Sequence, residues 1–219
     1  MNTFSLSTLL TVGFSISSAH AATLALYNFE SSTLSDSASV TDITATDLNV
    51  VSNGFTVNTL FHTGGNALGN ASLGGSEAEF GFTTAGQSVD LSFDLSTSAS
   101  YTLDSISFQH RANNSTNAFD SHNLSVSDGV TTLNLIINEL TNPLNQWNEY
   151  SASLQGTAFE TLDAGTTLTF TIRLAGKSSN GAGNSFSGID DITVTKVPEP
   201  SSTALLGLGG LALVLRRRR

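Results

Sequence analysis

Apolar and polar residues alternate along two long segments of the chain, so that every second side chain is apolar. The apolar positions of these segments are Val89, Leu91, Phe93, Leu95, Leu168, Phe170, Ile172 and Leu174. A period of two is that of a β-strand with one buried face, because successive side chains of a strand point to opposite faces. The pattern predicts two half-buried antiparallel strands whose apolar side chains line a core.

Shorter apolar runs of the same kind recur along the chain, with Gly, Asn and Ser between them. They are Leu24–Glu30, Ala78–Phe82, Leu133–Ile137, Trp147–Leu154 and Ile192–Val197. No segment between residues 22 and 197 has a helical period, and many short strands separated by turn residues are typical of two packed sheets. We predict an all-β fold, a two-sheet antiparallel β-sandwich of jelly-roll type.

The parity of the apolar residues switches within Tyr101–Phe108. Tyr101 and Leu103 share one parity, whereas Ile106 and Phe108 have the other. A shift of one residue moves side chains to the opposite face of a strand, so the switch predicts a bulge or a sharp bend near Asp104 and Ser105.

The N-terminal segment has the features of a secretory signal peptide. An apolar stretch around residues 6–16 is followed by small residues that end in Ala19-His20-Ala21. An A-x-A ending of this kind is a cleavage signal, and the apolar stretch is too short to span a membrane. We predict a signal peptide over residues 1–21 and a single sandwich domain over residues 22–197.

Composition limits the partners of this domain. Residues 22–197 contain four Lys and Arg residues and seventeen Asp and Glu residues, a formal net charge of 4 − 17 = −13. Phosphate binding requires a basic face, so nucleic acid is excluded as a partner. The chain has no cysteine and therefore no disulfide or thiolate metal site. An acidic surface keeps a protein soluble, and carboxylates also bind divalent cations.

The C-terminal residues 198–219 combine three features in a fixed order. They begin with Pro198-Glu199-Pro200, continue with an apolar segment and end with Arg216, Arg217, Arg218 and Arg219. This order resembles the PEP-CTERM tail of proteins that exosortase systems sort in Gram-negative bacteria. The resemblance implies recognition at Pro198, Glu199 and Pro200, retention by the four arginines, cleavage of the tail, and release to the cell surface or extracellular matrix. The implied partners are the secretion machinery and an exosortase.

Membrane physics predicts the same topology. The arginine cluster should stay on the cytoplasmic side by the positive-inside rule, so the domain faces outward. Ala204–Leu215 would span about 18 Å as a helix at ~1.5 Å per residue, against a hydrocarbon core of about 30 Å. We therefore predict a short C-terminal apolar helix that anchors the protein transiently. A simple tail anchor that is never cut is the alternative.

A second resemblance concerns the two ends of the domain. Residues 27–30 are Tyr-Asn-Phe-Glu, and residues 187–192 are Ser-Gly-Ile-Asp-Asp-Ile. These segments resemble the first and last strands of jelly-roll domains of the carbohydrate-binding-module and MAM types, although the MAM cysteines are missing. The resemblance implies binding of glycans or partner proteins and a structural calcium ion near these ends.

The parity of the last strand bears on this calcium site. If Ile192 and Val194 point inward, simple alternation turns Asp190 inward and Asp191 outward. An uncompensated inward carboxylate is strongly disfavoured, so the strand bulges, Asp190 is neutralised, or a cation lies beside it. We predict one structural calcium ion that uses Glu30 and one or both of Asp190 and Asp191, because Ca²⁺ prefers oxygen ligands in adaptable geometry. An ordinary solvated turn is the alternative.

The sequence predicts no catalytic residue. It has neither the HExxH spacing of zincins nor the GxSxG elbow of α/β-hydrolases. Asp120 and His122 share a strand face, but we interpret them as a solvated pair at a loop edge. For Trp147, the only tryptophan, we favour core packing over a sugar-stacking platform.

These observations predict a non-enzymatic exported surface or matrix protein with exopolysaccharide as the expected ligand class. Two alternatives stay open at this stage: a structural or adhesive protein without a glycan site, and a secreted polysaccharide-active enzyme. The second alternative would need two carboxylates about 5 to 10 Å apart, and the sequence offers too many acidic residues to choose a pair.

Overall fold

The computed structural model describes residues 21–29, 34–38, 40–54, 61–63, 76–82, 86–112, 121–141, 146–175 and 185–198. Every regular element in these ranges is a β-strand, as the alternation predicted. Within them no helix is long and apolar enough to cross a membrane. Residues Ala21–Val197 form one compact unit. The predicted signal peptide and C-terminal helix lie outside the described residues.

The described ranges contain thirteen strands. In chain order they are β1 (Ala22–Tyr27), β2 (Ile43–Ala45), β3 (Asn49–Asn53), β4 (Phe61–Thr63), β5 (Ser76–Phe82), β6 (Ser88–Thr97), β7 (Tyr101–Ala112), β8 (Ser121–Ser127), β9 (Thr132–Leu140), β10 (Asn148–Ser153), β11 (Thr161–Leu162), β12 (Thr167–Ala175) and β13 (Ser185–Lys196).

Two antiparallel sheets build the sandwich. The seven-stranded sheet has the order β10-β7-β13-β5-β4, with β1 also paired to β13 and β11 to β7. The six-stranded sheet has the order β2-β6-β12-β8-β9, with β3 also paired to β6. Consecutive strands often lie in different sheets, as β6, β7 and β8 do, so the chain crosses repeatedly between the two layers.

The core lies between the sheets and contains the side chains that the alternation predicted. All eight apolar residues of β6 and β12 named above are at most 3% exposed, which confirms their orientation. The two strands are paired in register, with Phe170 opposite Phe93. Their rings stack with centroids 5.3 Å apart, a separation typical of favourable aromatic pairs.

The predicted bulge in β7 is confirmed. Leu103 and Ile106 are both fully buried although they differ in parity. On the neighbouring β13, Thr195 pairs with Ser105 and Lys196 pairs with Leu103, so Asp104 is the extra residue. The strand thereby keeps apolar side chains in the core on both sides of the bulge.

Candidate functional site

The residues predicted to direct sorting begin where the last strand ends. The backbone N–H of Val197 donates to the carbonyl oxygen of Thr102 at 2.9 Å, and Pro198 is the last described residue. Glu199, Pro200 and the cluster Arg216, Arg217, Arg218 and Arg219 lie outside the described residues. The folded domain therefore reaches directly to the predicted recognition motif.

Asp190 and Asp191 lie in a β-bulge of β13. The pairing with β7 jumps from Asp190–Gln109 to Thr193–Ser107, and Asp191 has a φ of 48° in the left-handed region. The backbone N–H of Asp191 donates to Asp190 Oδ1 at 2.8 Å, and Gln109 Nε2 donates to Asp191 Oδ2 at 3.0 Å. Of the three predicted arrangements, the strand adopts the bulge, so neither carboxylate has to enter the core.

The calcium site stays a prediction. Glu30, its third proposed ligand, lies outside the described residues. Among the residues that the structure describes, no three His, Asp or Glu side chains come close enough together to hold a metal ion.

Trp147 is not a core residue, contrary to the expectation from sequence. It is half-buried and lies on the outer face of the seven-stranded sheet, where the guanidinium carbon of Arg111 is 5.1 Å from its ring centroid. A Cβ atom at Gly188 would lie 2.9 Å from the ring, so glycine leaves the space that the indole occupies. The ring is covered by Arg111 and is not an open stacking platform.

Two buried histidines join the sheets at the centre of a polar cluster. His110 on β7 and His122 on β8 place their Nδ1 atoms 3.1 Å apart. Thr141, directly after β9, bonds to His110 Nδ1, and Ser187 of β13 bonds to His110 Nε2. With the proton of His110 on Nε2 and that of His122 on Nδ1, each imidazole can donate once, to Ser187 Oγ and to His110 Nδ1 respectively.

Both imidazoles are held in the neutral form by burial. Neither has any exposed surface, and the Tyr150 ring packs on His122 with centroids 4.1 Å apart. Burial lowers the pKa of His122 to about 4. Burial and the neighbouring His122 hold the pKa of His110 well below its ordinary value. His122 Nε2 has no hydrogen-bond partner among the described residues and lies 3.9 Å from Glu139 Oε2.

The Ser187–His110 pair has the composition of an activated nucleophile, but its position argues against that role. Ser187, His110 and His122 are fully buried, so a substrate cannot reach the hydroxyl. The cluster instead satisfies polar groups inside the core. The interpretation of His122 as half of a solvated pair is wrong, since its side chain points between the sheets, and Asp120 lies outside the described residues.

The outer face of the six-stranded sheet carries a polar groove of about 380 Å³. It is lined by Asp90, Asn123, Ser125, Asn134, Ile137, Thr171 and Arg173. These residues occupy the outward positions of β6, β12 and β8, between the buried apolar side chains, and of the neighbouring β9. Apart from Ile137, these residues are ordinary polar members of the alternation, so the sequence does not mark them as a site.

An ion pair forms one side of the groove. Arg173 lies opposite Asp90 across β12 and β6, with Arg173 Nε 3.8 Å from Asp90 Oδ1. That oxygen is buried and has no hydrogen-bond partner in the part of the chain described. Arg173 Nη2 is held by Ser88 Oγ at 3.0 Å. On the other side, Asn123 Oδ1 accepts the N–H of Asn138 at 2.7 Å, which fixes the Asn123 amide.

The C-terminal segment matches a known family pattern. Residues 196–219 correspond to the PEP-CTERM protein-sorting motif. The chain thus carries the sorting signal that its sequence resembled, and this motif indicates export with membrane-anchored sorting. No curated protein matches the chain in sequence.

Several solved structures resemble the chain. TmCBM61, solved in complex with β-1,4-galactotriose, is 16% identical with a TM-score of 0.49, over 78% of this chain and 94% of that one. The K3 cleaved adhesin domain of Lys-gingipain from Porphyromonas gingivalis is 14% identical with a TM-score of 0.49, over 80% and 99%. The family 11 carbohydrate-binding module of a Clostridium thermocellum cellulosomal cellulase is 14% identical with a TM-score of 0.41, over 84% and 99%. At these identities and TM-scores, the ligands of these proteins cannot be transferred to this chain.

Proposed function

We propose that this protein is a non-enzymatic, exosortase-sorted surface protein that binds exopolysaccharide through the polar groove of its six-stranded sheet. The observation that carries the proposal is the groove itself, where a carboxylate, a guanidinium, amides and hydroxyls line one open depression. Its volume of about 380 Å³ is within the usual range of ligand sites.

The chemistry of the groove suits a sugar polymer. Sugar hydroxyls both donate and accept hydrogen bonds, so they can bridge Asp90, which only accepts, and Arg173, which only donates. Ile137 is 66% exposed and offers an apolar surface to the C–H face of a sugar ring. The ion pair leaves the lining without net charge, and the acidic domain repels polyanions. We therefore propose a neutral glycan as the ligand.

Binding without hydrolysis is favoured by the number of acids in the groove. Glycoside hydrolysis uses two carboxyl groups on either side of the scissile bond. Asp90 is the one carboxylate among the described groove residues, and it is paired with Arg173. The groove can hold a glycan chain, and its described residues do not include the pair of carboxyl groups that would cleave it.

Replacing the guanidinium should weaken glycan binding. We expect Arg173→Ala to lower the affinity for surface polysaccharide by about tenfold or more, since hydrogen bonds to charged groups are worth about 1.5–3 kcal/mol. Asp90→Asn should weaken binding by a smaller factor. Isothermal titration or affinity electrophoresis with neutral and acidic polymers measures both effects.

Arg111→Ala is the matched control, because Arg111 lies on the other sheet against Trp147 and should bind as the unmodified protein does. Equal affinities of the Arg173 and Arg111 variants would mean that the glycan does not bind in this groove. If no polymer binds at all, the structural or adhesive alternative is correct. Release of reducing ends or unsaturated sugars would favour the enzyme.

Processing should remove the arginine cluster. We expect intact-mass analysis of surface material to find chains that end near the Pro-Glu-Pro motif, because a short apolar segment is a poor permanent anchor. Replacing Pro198, Glu199 and Pro200 together should leave the protein in the membrane fraction. Surface material that still carries Arg216–Arg219 would contradict this prediction.

A further inference from the structure

We infer that the polar groove is the central part of a longer binding surface, which crosses the six-stranded sheet at right angles to its strands and holds an internal stretch of an extended neutral polysaccharide. The inference rests on the proposed function. It adds the direction in which the polymer lies and the number of sugar rings that the protein contacts. We call Val51, Asp90, Arg173, Asn123 and Ile137 the transverse row.

The strand register places these residues on one line. Val51 of β3 pairs with Asp90 of β6, and Asp90 pairs with Arg173 of β12. Arg173 pairs in turn with Asn123 of β8, and opposite Asn123 the edge strand β9 has the bulge that contains Ile137. Directly opposite residues of antiparallel strands point to the same face. The transverse row therefore runs straight across the outer face of five strands.

The transverse row extends from one edge of the described sheet to the other. Within the described strands, β3 pairs with β6 alone and β9 pairs with β8 alone. Four steps between neighbouring strands, each ~4.8 Å, give a length of about 19 Å. One step is close to the length of one sugar ring in an extended polymer, so the row matches about five rings. A longer chain would continue past both edge strands, which is why the ligand is an internal stretch.

The two ends of the transverse row are apolar and its centre is polar. Val51 is 47% exposed and Ile137 is 66% exposed, and they are two of the four exposed large apolar side chains in the described ranges. Single exposed apolar residues are ordinary on a protein surface, but these two lie on the same face and at opposite ends of one line. Sugar rings offer C–H faces to such side chains and hydroxyls to the carboxylate, guanidinium and amide between them.

A second line of polar side chains runs beside the transverse row. Thr171 pairs with Ser125, Ser125 pairs with Asn134, and all three residues line the groove. Two adjacent outward positions of a strand are about 7 Å apart, so the two lines form a strip that is much longer across the strands than along them. This shape suits one extended chain.

The polar groups further along the strands are already paired with one another. Thr169 Oγ1 donates to Asp94 Oδ1 at 2.6 Å, and the backbone N–H of Asp94 donates to Thr46 Oγ1 at 2.9 Å. In the transverse row, by contrast, the buried Oδ1 of Asp90 has no hydrogen-bond partner among the described residues. A buried acceptor without a partner is costly. Sugar hydroxyls therefore gain more across the strands, at Asp90, than along β12 at Thr169.

Fragments of known length test how many rings the surface holds. The probe is the neutral polysaccharide extracted from the surface of the producing bacterium, cut with mild acid and separated by size. Titration of each fragment into the protein should show an affinity that rises with every added sugar up to about five units and then stays constant. A disaccharide that binds as tightly as the polymer would place a chain end in the groove and would overturn the inference.

Variants at the ends of the row test the direction. Val51→Ser and Ile137→Ser should each lower the affinity for long fragments about fivefold, because each removes apolar surface from the contact. The affinity for a disaccharide, which binds over the charged centre, should not change. Val130→Ser is the matched control, since Val130 is equally apolar and exposed but lies in the β8–β9 turn. Thr169→Val is the control for a chain that lies along β12.

The outcomes separate this inference from the proposed function. If the polymer binds and Arg173→Ala weakens binding, but Val51→Ser and Ile137→Ser bind long fragments as the unmodified protein does, the groove is correct and the transverse surface is wrong. A loss of affinity for Thr169→Val without a loss for Val51→Ser would turn the ligand along the strands and also overturn the inference. Absence of binding by any fragment or polymer would overturn the proposed function itself.

Discussion

Acidification should destabilise the folded protein well before most carboxylates are protonated. In the unfolded chain His110 and His122 bind protons near their ordinary pKa of 6.5, whereas burial lowers the pKa of folded His122 to about 4 and holds that of His110 well below its ordinary value. Between these pH values the unfolded state binds more protons, so stability is full above pH 6.5 and is lost as the pH falls. The lowered pKa of His122 alone should reduce the free energy of unfolding by about 3 kcal/mol at pH 4.

Urea unfolding at a series of pH values measures this loss. Two histidines that stay neutral only in the folded state give a slope of about 2.7 kcal/mol per pH unit, and one gives about half of that. His122→Phe fits the aromatic surroundings of Phe108 and Tyr150, and it should therefore fold and show the smaller slope. The carboxylates are common to both proteins, so the difference isolates His122.

A direct titration provides an independent measurement. The imidazole C–H resonances of both histidines should keep the chemical shifts of the neutral form down to about pH 5. On protonation, His122 Nε2 would face Glu139 Oε2 at 3.9 Å, which offers a partner at the sheet edge. If the wild type is equally stable at pH 7.5 and pH 5, or if both imidazoles titrate near pH 6.5, the buried cluster does not control acid stability.

The histidine cluster also shows what a single sequence cannot reveal. Ser187 and His110 are 77 positions apart in the chain, and only the pairing of β13 with β7 brings them together. His110 continues the parity of the buried Ile106 and Phe108, so alternation allows an inward position, but local sequence shows no partner that would compensate a buried imidazole. Their inward orientation is stable because each polar atom finds a partner within the cluster, and that compensation depends on tertiary structure.

Alternation predicted strands well where one face is uniformly apolar. β6 and β12 have this pattern, and their orientation followed directly from it. The start of β13 was placed at Ile192, whereas the strand begins at Ser185, because inward Ser187 and the glycine beneath Trp147 interrupt the apolar pattern. The short strands β2 and β3 contain too few residues to establish a period, and they form by pairing with β6.

The bulges show how sequence pattern and chain geometry interact. Near Asp104 two apolar parities lie within one strand, and the bulge was predictable because apolar residues on both sides had to be buried. Near Asp190, an inward carboxylate could be avoided or compensated in three ways, and the sequence alone did not distinguish among them. The left-handed conformation of Asp191, with a φ of 48°, resolves the conflict through the backbone.

Removal of one core aromatic ring should test the packing of the two sheets. Phe170 is fully buried, and its ring stacks on Phe93 at 5.3 Å between centroids. Phe170→Ala removes this contact and leaves a cavity that the paired strands β6 and β12 cannot close, so we expect a loss of about 3–5 kcal/mol in unfolding free energy. Urea or thermal unfolding measures the loss, at pH 7.5, where protonation of the histidines does not affect stability.

Val130→Ala is the matched control for this prediction, because it also deletes apolar atoms but at a side chain that is 94% exposed. Surface substitutions of this kind change stability by at most about 0.5 kcal/mol. Similar midpoints for the two variants would mean that Phe170 does not pack between the sheets. A large loss for Phe170→Ala alone would instead show that the side chains of this parity in β12 face the core. Because successive side chains of a strand point to opposite faces, the same result would support the outward orientation of Thr171 and Arg173, which line the groove.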